Sequence, residues 1–193
     1  MSTVSEKTLL DAEQIDRTLR RIANEIVERE GQDLERGVLV GIYTRGVPLA
    51  SRLRRMIAEI AGIELPVGAV DITFYRDDVG LGREAQAHPQ PVVKASSLPV
   101  SLDDRVAIVV DDVLSTGRTI RAAIEALFDY GRPARVRLAV LCDRGHRELP
   151  IRPDYVGKNL PTSREERVNV RLEEVDGVDQ VTISEPQTAE AYA

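Results

Sequence analysis

The stretch that decides the fold is VAIVVDDVLSTGRTIRAA, residues 106–123. It starts inside an apolar, β-branched run, residues 105–110, of the kind found in a central strand of a parallel sheet. Two adjacent carboxylates, Asp111 and Asp112, follow where this strand is predicted to end. After a turn rich in hydroxyl groups, residues 117–130 show the apolar spacing of a helix, which Gly131 closes. The stretch therefore predicts a strand, a polar loop and a helix, in that order.

The same order recurs on both sides of this stretch. A first helix is predicted to start near Asp11, in a capping box with Gln14, and to end at Gly31. A second helix is predicted at 48–61, where Gly62 ends it. Strands are predicted at 38–43, 67–75 and 136–142, with a turn at 44–47. This alternation predicts an α/β fold with a mainly parallel central sheet flanked by helices, and a site at the carboxyl ends of the strands. A strand-rich segment after Val156 is expected to add a small C-terminal cap.

Length and composition limit the classes of protein to consider. A chain of 193 residues fits a single domain over residues 1–193, with a disordered tail expected at 185–193. The formal net charge of −6 argues against a protein that coats nucleic acid indiscriminately. Apolar runs too short for a membrane span, and a polar N-terminus without a signal pattern, predict a cytoplasmic protein with no membrane contact. The single cysteine, Cys142, is expected to be a buried strand thiol without a catalytic role.

The polar loop combines groups that suit a phosphorylated ribose. The start of the helix offers backbone N–H groups to an anion, and Ser115, Thr116 and Thr119 add hydroxyl donors. Gly117 lets the backbone approach the anion closely. The two carboxylates would repel a phosphate, so they are expected to face the ribose hydroxyls, with or without Mg²⁺. The full run therefore predicts binding of 5-phosphoribosyl-1-diphosphate (PRPP).

Other interpretations of the loop are weaker. Taken singly, the acidic pair would only end a strand, and Ser115 or Thr116 would only cap a helix. A Walker loop is excluded because the sequence has no Gly-Lys-Ser/Thr. The acidic pair of a response regulator would not need the turn STGRT.

The resemblance to a known family extends well beyond this loop. The run is similar to the PRPP signature of type I phosphoribosyltransferases. Together the following stretches resemble the PyrR family of pyrimidine operon attenuators, which also act as uracil phosphoribosyltransferases: GIYTRGVPLA (41–50), DITFYRDD (71–78), VDDVLSTGRTIRAAIEAL (110–127), DRGHRELPIRPDYVGKNLPTS (143–163) and LEEVDG (172–177). The resemblance covers residues 11–176. It departs from the family pattern at Ser115, where an aromatic residue is frequent, and at Asn24, where the family's basic helix face is more continuous.

This resemblance implies roles for named residues. PRPP would be bound by Asp111, Asp112, Val113, Leu114, Ser115, Thr116, Gly117, Arg118 and Thr119, of which Asp111 and Asp112 would be catalytic. The diphosphate would be bound by Thr44, Arg45 and Gly46. A flexible loop at 76–97 would close over the site, with Tyr75, Arg76, Asp77, Asp78 and Arg83 at its start. Uracil would be bound by Tyr155, which would cover the base, and by Val156, Asp143, Arg144 and Lys158; the alternative for Tyr155 is a plain core residue.

The implied reaction is uracil plus PRPP giving UMP and diphosphate, with Mg²⁺ carried by PRPP rather than bound directly by the protein. Asp112 would act electrostatically or accept a proton. The resemblance also implies a UMP-sensing regulator that binds the pyr mRNA leader as a homo-oligomer, a dimer or higher. RNA contacts would come from Arg17, Arg20, Arg21, Arg147 and Arg152; the alternative is that these are ordinary surface arginines. The alternative is a purine phosphoribosyltransferase without an RNA-binding role, and the sequence leaves it open.

Overall fold

The computed structural model describes residues 6–75 and 95–185. Its helices and strands are, in chain order, β1 (Glu6–Leu10), α1 (Ala12–Glu30), β2 (Gly37–Ile42), α2 (Gly46–Ala61), β3 (Val67–Val70), β4 (Val106–Leu114), α3 (Arg118–Leu127), β5 (Arg135–Asp143), β6 (Tyr155–Asn159), β7 (Arg167–Arg171), α4 (Glu173–Asp176) and β8 (Gln180–Ser184). Five strands form a parallel sheet in the order β3-β2-β4-β5-β6. The predicted α/β architecture is confirmed.

Alternate residues of the central strands feed two separate apolar layers. On β4, Ile108 packs with residues of α1 and α2, whereas its neighbour Val109 packs with residues of α3. Both side chains are fully buried. A strand buried on both faces must be apolar at every position, which explains the unbroken run at 106–110.

A second, smaller sheet forms the cap over the carboxyl ends of the parallel strands. Its three strands lie in the order β1-β8-β7, and both pairings are antiparallel. The sequence predicted a C-terminal cap, but one strand of it comes from residues 6–10. Glu6 pairs with Ser184, so the two strands come from nearly opposite ends of the sequence. The prediction was therefore incomplete, because an isolated short strand carries no sign of so distant a partner.

Several element boundaries differ from the predicted ones. Strand β4 continues through both carboxylates to Leu114, because Val113 and Leu114 still pair with β5. The segment predicted as a strand at 67–75 is a strand only to Val70. Beyond it, the Asp71 carboxylate accepts hydrogen bonds from the backbone N–H and the hydroxyl of Thr73, and a 3-10 turn replaces the strand.

The helix ends mostly follow their local signals. Helix α1 has the predicted capping box between Asp11 and Gln14, and Gly31 follows its last residue. Helix α2 begins at Gly46 rather than residue 48, and α3 gives way at Phe128 to a short 3-10 turn. None of the helices in the described ranges is long and apolar enough to cross a membrane.

Candidate active site

A cleft opens at the carboxyl ends of the parallel strands, where the loops after β2, β3 and β4 meet. It encloses about 360 Å³ and is lined by Ile42, Tyr43, Thr44, Arg45, Asp71, Ile72, Thr73, Asp111, Asp112, Val113 and Thr119. Ligands of open α/β sheets bind at this edge, because the strand ends and following turns present backbone polar groups there. The structure thus brings together the acidic pair, Thr119 in the first turn of α3, and Thr44 and Arg45 of the turn before α2.

The two carboxylates occupy consecutive positions on β4. Asp111 is buried and its Oδ1 accepts the N–H of Asp112 at 2.9 Å, while Oδ1 of Asp112 accepts the N–H of Val113 at 2.8 Å. Burial raises the pKa of Asp111 well above its ordinary value, and the charge of Asp112 raises it further. Burial also raises the pKa of Asp112, although the nearby Arg45 opposes the rise. The folded chain thus holds two carboxylates where water stabilises their charge poorly, a frequent property of functional sites.

The turn STGRT joins β4 to α3. Gly117 has a φ of +92°, a left-handed conformation that side chains other than glycine rarely adopt. The Oγ1 of Thr116 accepts the N–H of Arg118 at 3.3 Å. Thr119, in the first turn of α3, lines the cleft beside the acidic pair, so the start of this helix can present its backbone N–H groups to an anion there.

The segment after β5 supports this turn from behind. Arg147 donates from Nη1 to the carbonyl of Ser115 at 2.8 Å and from Nε to the carbonyl of Ile151 at 2.9 Å. The carbonyl of Thr116 accepts the N–H groups of Glu148 and Leu149 at 3.0 and 3.1 Å. Arg147, predicted from the resemblance as an RNA contact, thus has its guanidinium engaged in holding the turn STGRT.

The turn of residues 44–46 packs directly against β4. A Cβ placed on Gly46 would stand 2.3 Å from the carbonyl oxygen of Val110, the residue before the acidic pair. The Tyr43–Thr44 peptide bond is cis. Only a glycine lets the start of α2 come this close to the strand, and the contact places Thr44 and Arg45 at the cleft.

A second cavity, of about 300 Å³, adjoins the first on the side of the cap. It shares Arg45 and Asp112 with the first cavity, and its other lining residues are Glu6, Val168, Asn169, Val170, Arg171 and Asp176. Arg171 donates from Nη2 to both carboxylate oxygens of Glu6 at 3.0 Å. Sequence reasoning missed the β7 residues at this cavity, because nothing local shows that β7 folds back over β4.

The residues predicted to bind the base do not share one position. Tyr155, the first residue of β6, is only 1% exposed, and its hydroxyl donates to the carboxylate of Glu30 in the core. It lies at the amino end of its strand, whereas the cleft lies at the carboxyl ends, so its position removes it as a cover for the base. Lys158 donates from Nζ to the carbonyl of Leu9 at 3.3 Å.

Asp143, Arg144 and Val156 line a third cavity, of about 740 Å³, together with Arg147 and Arg152. This cavity shares no lining residue with the cleft at the acidic pair.

The other predicted RNA-contacting arginines lie on α1, and each already has an acidic partner. Arg17 pairs with Glu13 at 3.0 Å, Arg20 with Glu59 at 2.9 Å and Arg21 with Glu25 at 2.5 Å.

The predicted mobile loop is only partly described. The hydroxyl of Tyr75 donates to the carboxylate of Asp129, beyond the end of α3. Arg76, Asp77, Asp78 and Arg83 lie outside the described residues, as does the predicted tail from residue 186 onward.

Cys142 is buried, and burial raises the pKa of its thiol to about 12, so it is protonated near neutral pH.

Comparisons with known proteins agree with this geometry. The model of the phosphoribosyl transferase domain family matches residues 5–174. A bifunctional protein PyrR of Chloroflexus aurantiacus is 56% identical over 179 residues, which cover 93% of this chain and 95% of the relative. That of Deinococcus radiodurans is 50% identical over 185 residues, covering 96% and 98%.

Among solved structures, a hypoxanthine phosphoribosyl transferase of Trypanosoma cruzi superimposes with a TM-score of 0.72 at 18% identity, covering 97% of this chain and 95% of that one. A purine phosphoribosyltransferase of Pyrococcus horikoshii gives a TM-score of 0.56 at 23% identity, covering 78% and 85%. At these identities the superpositions show the fold alone. Domain match and close relatives together place the chain in the phosphoribosyl transferase domain family and, within it, among the bifunctional PyrR proteins.

Proposed function

We propose that this protein transfers the phosphoribosyl group of PRPP to uracil, giving UMP and diphosphate, and that it also acts as a uridine-nucleotide-sensing regulator that binds RNA. The observation that carries the first role is the cleft itself. Asp111 and Asp112 line it together with Thr119, at the start of α3, and with Thr44 and Arg45, in the turn before α2. An anion site on each side of paired carboxylates matches a ribose that bears a phosphate at one end and a diphosphate at the other.

The 5′-phosphate would sit on the turn of residues 115–119. Backbone N–H groups at the start of α3 and the hydroxyls of Ser115, Thr116 and Thr119 would donate to its oxygens. Arg147 and the backbone of residues 148–149 hold this turn in place before any ligand binds. A preformed site lowers the cost of ordering the loop on binding, so affinity is gained without further contacts.

Bond cleavage separates the ribose C1 from the diphosphate oxygen, and positive charge develops on the ribose. The buried carboxylates of Asp111 and Asp112 stabilise this charge, since an ion pair in a poorly solvated site is stronger than one in water. Arg45 would take up negative charge on the departing diphosphate. The uracil N1 then bonds to C1 as its proton leaves to water or to Asp112.

Mg²⁺ would arrive as part of the PRPP substrate. The carboxylates of Asp111 and Asp112 would lie next to it, and carboxylate oxygens are a type of ligand that Mg²⁺ prefers. When bound, the ion would neutralise charge on the leaving diphosphate. Positioning and charge neutralisation together need no strong general base.

The base would enter the second cavity, beneath β7. This cavity is adjacent to Asp112 and Arg45, so a base in it would face C1 of a ribose held by the acidic pair. Residues 168–171 line this cavity, and those backbone groups of β7 that do not pair with β8 would supply donors and acceptors to the base. Contacts made by backbone groups leave no mark in the identity of side chains, so a sequence does not indicate them.

The test is to incubate the protein with PRPP, Mg²⁺ and one base at a time: uracil, hypoxanthine or guanine. UMP as the only nucleotide formed is the expected result. A purine nucleotide instead would favour the alternative of a purine phosphoribosyltransferase. Asp112→Asn is expected to lower PRPP affinity or turnover, and the mechanism fails if both stay at the wild-type level.

The regulatory role rests on a different observation, the close identity to relatives that are named bifunctional. The α1 arginines pair with carboxylates, so RNA phosphates would have to replace Glu13, Glu25 and Glu59 as partners. We therefore expect binding of a pyr mRNA leader to weaken steeply with salt. A gel-shift titration without any UMP-dependent preference for the leader would remove this role. A homo-oligomer and a cytoplasmic location remain predictions from the sequence.

A further inference from the structure

Arg45, at the cleft, is held by a carboxylate from the cap. Its Nε donates to Oδ2 of Asp176 at 3.0 Å, and its Nη2 donates to Oδ1 at 2.7 Å. The Arg45 side chain is 33% exposed and that of Asp176 is 20% exposed, so the pair is only partly open to solvent. Asp176 belongs to α4, far along the chain from the turn of residues 44–46, and it lines the second cavity with Arg45.

The geometry of this pair leaves half of the guanidinium available. A guanidinium has five N–H groups arranged along two edges. Asp176 occupies the edge formed by Nε and Nη2. With the residues that the structure describes, the Nη1 atom of Arg45 makes no hydrogen bond. The edge formed by Nη1 and Nη2 can thus bind a second anion while Asp176 stays in place.

Asp176 is itself fixed in position. Its Oδ2 accepts the N–H of Leu172 at 2.9 Å. The rest of this turn is fastened to α2 by Arg52, which donates to both oxygens of Glu174 at 2.8 and 2.6 Å and to both oxygens of Asp179 at 2.7 Å. A carboxylate on such a braced turn can set the direction of a flexible arginine side chain, which otherwise loses rotamer entropy when it binds a ligand.

We propose that Asp176 is a positioning residue: it holds Arg45 by one edge so that the other edge is ready for the diphosphate of PRPP. The proposal rests on the proposed function in one respect, the assignment of Arg45 to the diphosphate. It differs from a competition between Asp176 and diphosphate for the same edge, in which the carboxylate would block the site. The free edge favours positioning, since both anions can be bound at once.

The test uses Asp176→Asn in the full chain, with Asp179→Asn as the matched control. Asparagine keeps the size of the side chain and its acceptor for the Leu172 N–H, but it loses the charge that aligns Arg45. Mg-diphosphate binding is measured directly by calorimetry, and KM and kcat are measured with PRPP and uracil. We expect Asp176→Asn to weaken diphosphate binding and raise the KM for PRPP about tenfold, the effect of losing a hydrogen bond between charged groups. The expected change in kcat is smaller.

Asp179→Asn removes one of the two carboxylate partners of Arg52 without touching Arg45, and the pair of Arg52 with Glu174 still fastens the turn that carries Asp176. This variant is expected to lower the Tm and to leave diphosphate affinity unchanged. Tighter diphosphate binding by Asp176→Asn would overturn the proposal in favour of competition. Equal losses of affinity in the two variants would also overturn it, because the cap as a whole, and not the alignment of Arg45, would then be responsible.

A double-mutant cycle with Arg45→Ala completes the experiment. If Asp176 acts through Arg45, Asp176→Asn has no further effect on diphosphate binding once Arg45 is absent. A full additional loss in the double variant would refute the link. The binding measurement also separates this proposal from the proposed function: wild-type protein that binds diphosphate but forms no UMP would contradict the enzyme activity alone.

Discussion

Replacing Gly46 by alanine tests whether the close contact between α2 and β4 sets the catalytic geometry. The added Cβ would stand 2.3 Å from the carbonyl oxygen of Val110, against an ordinary contact of 3.4–4 Å, so the turn of residues 44–46 must move by about 1 Å. Overpacking of this kind costs about 1–3 kcal/mol of stability. A displacement of about 1 Å at a positioned group can lower kcat/KM about 100-fold. Gly46→Ala is therefore expected to fold, with a reduced Tm, and to lose most of its activity.

Gly62→Ala is the matched control at the other end of the same helix. Gly62 has a φ of +70° and nothing within 4 Å of an added Cβ, so alanine there strains only the backbone. Its cost is about 1–2 kcal/mol, close to that of Gly46→Ala. Thermal unfolding and steady-state kinetics with PRPP and uracil are measured on both variants. Similar kcat/KM values for two folded variants would refute the reasoning, because loss of stability alone would then explain both.

Three further substitutions or treatments test other parts of the molecule. Asp111→Asn should stabilise the protein by about 0.5–2 kcal/mol at pH 8 while reducing activity, as is usual for strained functional sites. Because burial raises the pKa of Asp111 in the folded state, the stability of the wild type rises as the pH falls through that pKa, and the gain from the substitution should vanish near the ordinary pKa of 3.8. Urea titrations at several pH values measure this, and a gain independent of pH would contradict the origin in Asp111. Tyr155→Phe should cost about 1–3 kcal/mol, because Glu30 loses a buried donor, and should leave the KM for uracil unchanged; a raised KM would return Tyr155 to the base site. The thiol of Cys142 should resist iodoacetamide in the native protein and react only after unfolding, as mass spectrometry would show, and rapid native labelling would contradict its burial.

The sequence predicted those features that depend on local signals. Every side chain of the unbroken, β-branched apolar run at residues 106–110 needs burial, and a central strand covered on both faces of a sheet provides it. The capping box of Asp11 and Gln14 set the start of α1 correctly, because each residue of the box bonds to the backbone of the other. The cleft at the carboxyl ends follows from parallel strands joined by helices, which fixes the edge at which turns collect.

Features that depend on distant partners could not be predicted in this way. β4 reaches Leu114 because β5 continues beside it, and the sequence of β4 alone does not report the length of its neighbour. The identity of Tyr155 fitted either a base cover or a core residue; only its place at the amino end of β6 decides between them. The pair of Arg45 and Asp176 joins segments whose spacing carries no periodic signal.

The pairing of β1 with β8 has a consequence for the order in which parts of the protein fold during synthesis on the ribosome. Residues of β2, β4 and β5 can associate through connections of moderate length, and the turn STGRT follows β4 directly. The cap needs Glu6 to meet Ser184, so it closes only after residues 180–184 have left the exit tunnel. A nascent chain would thus form the sheet that carries the acidic pair before the cap is complete. The pairing of Asp176 with Arg45 would follow the formation of the parallel sheet.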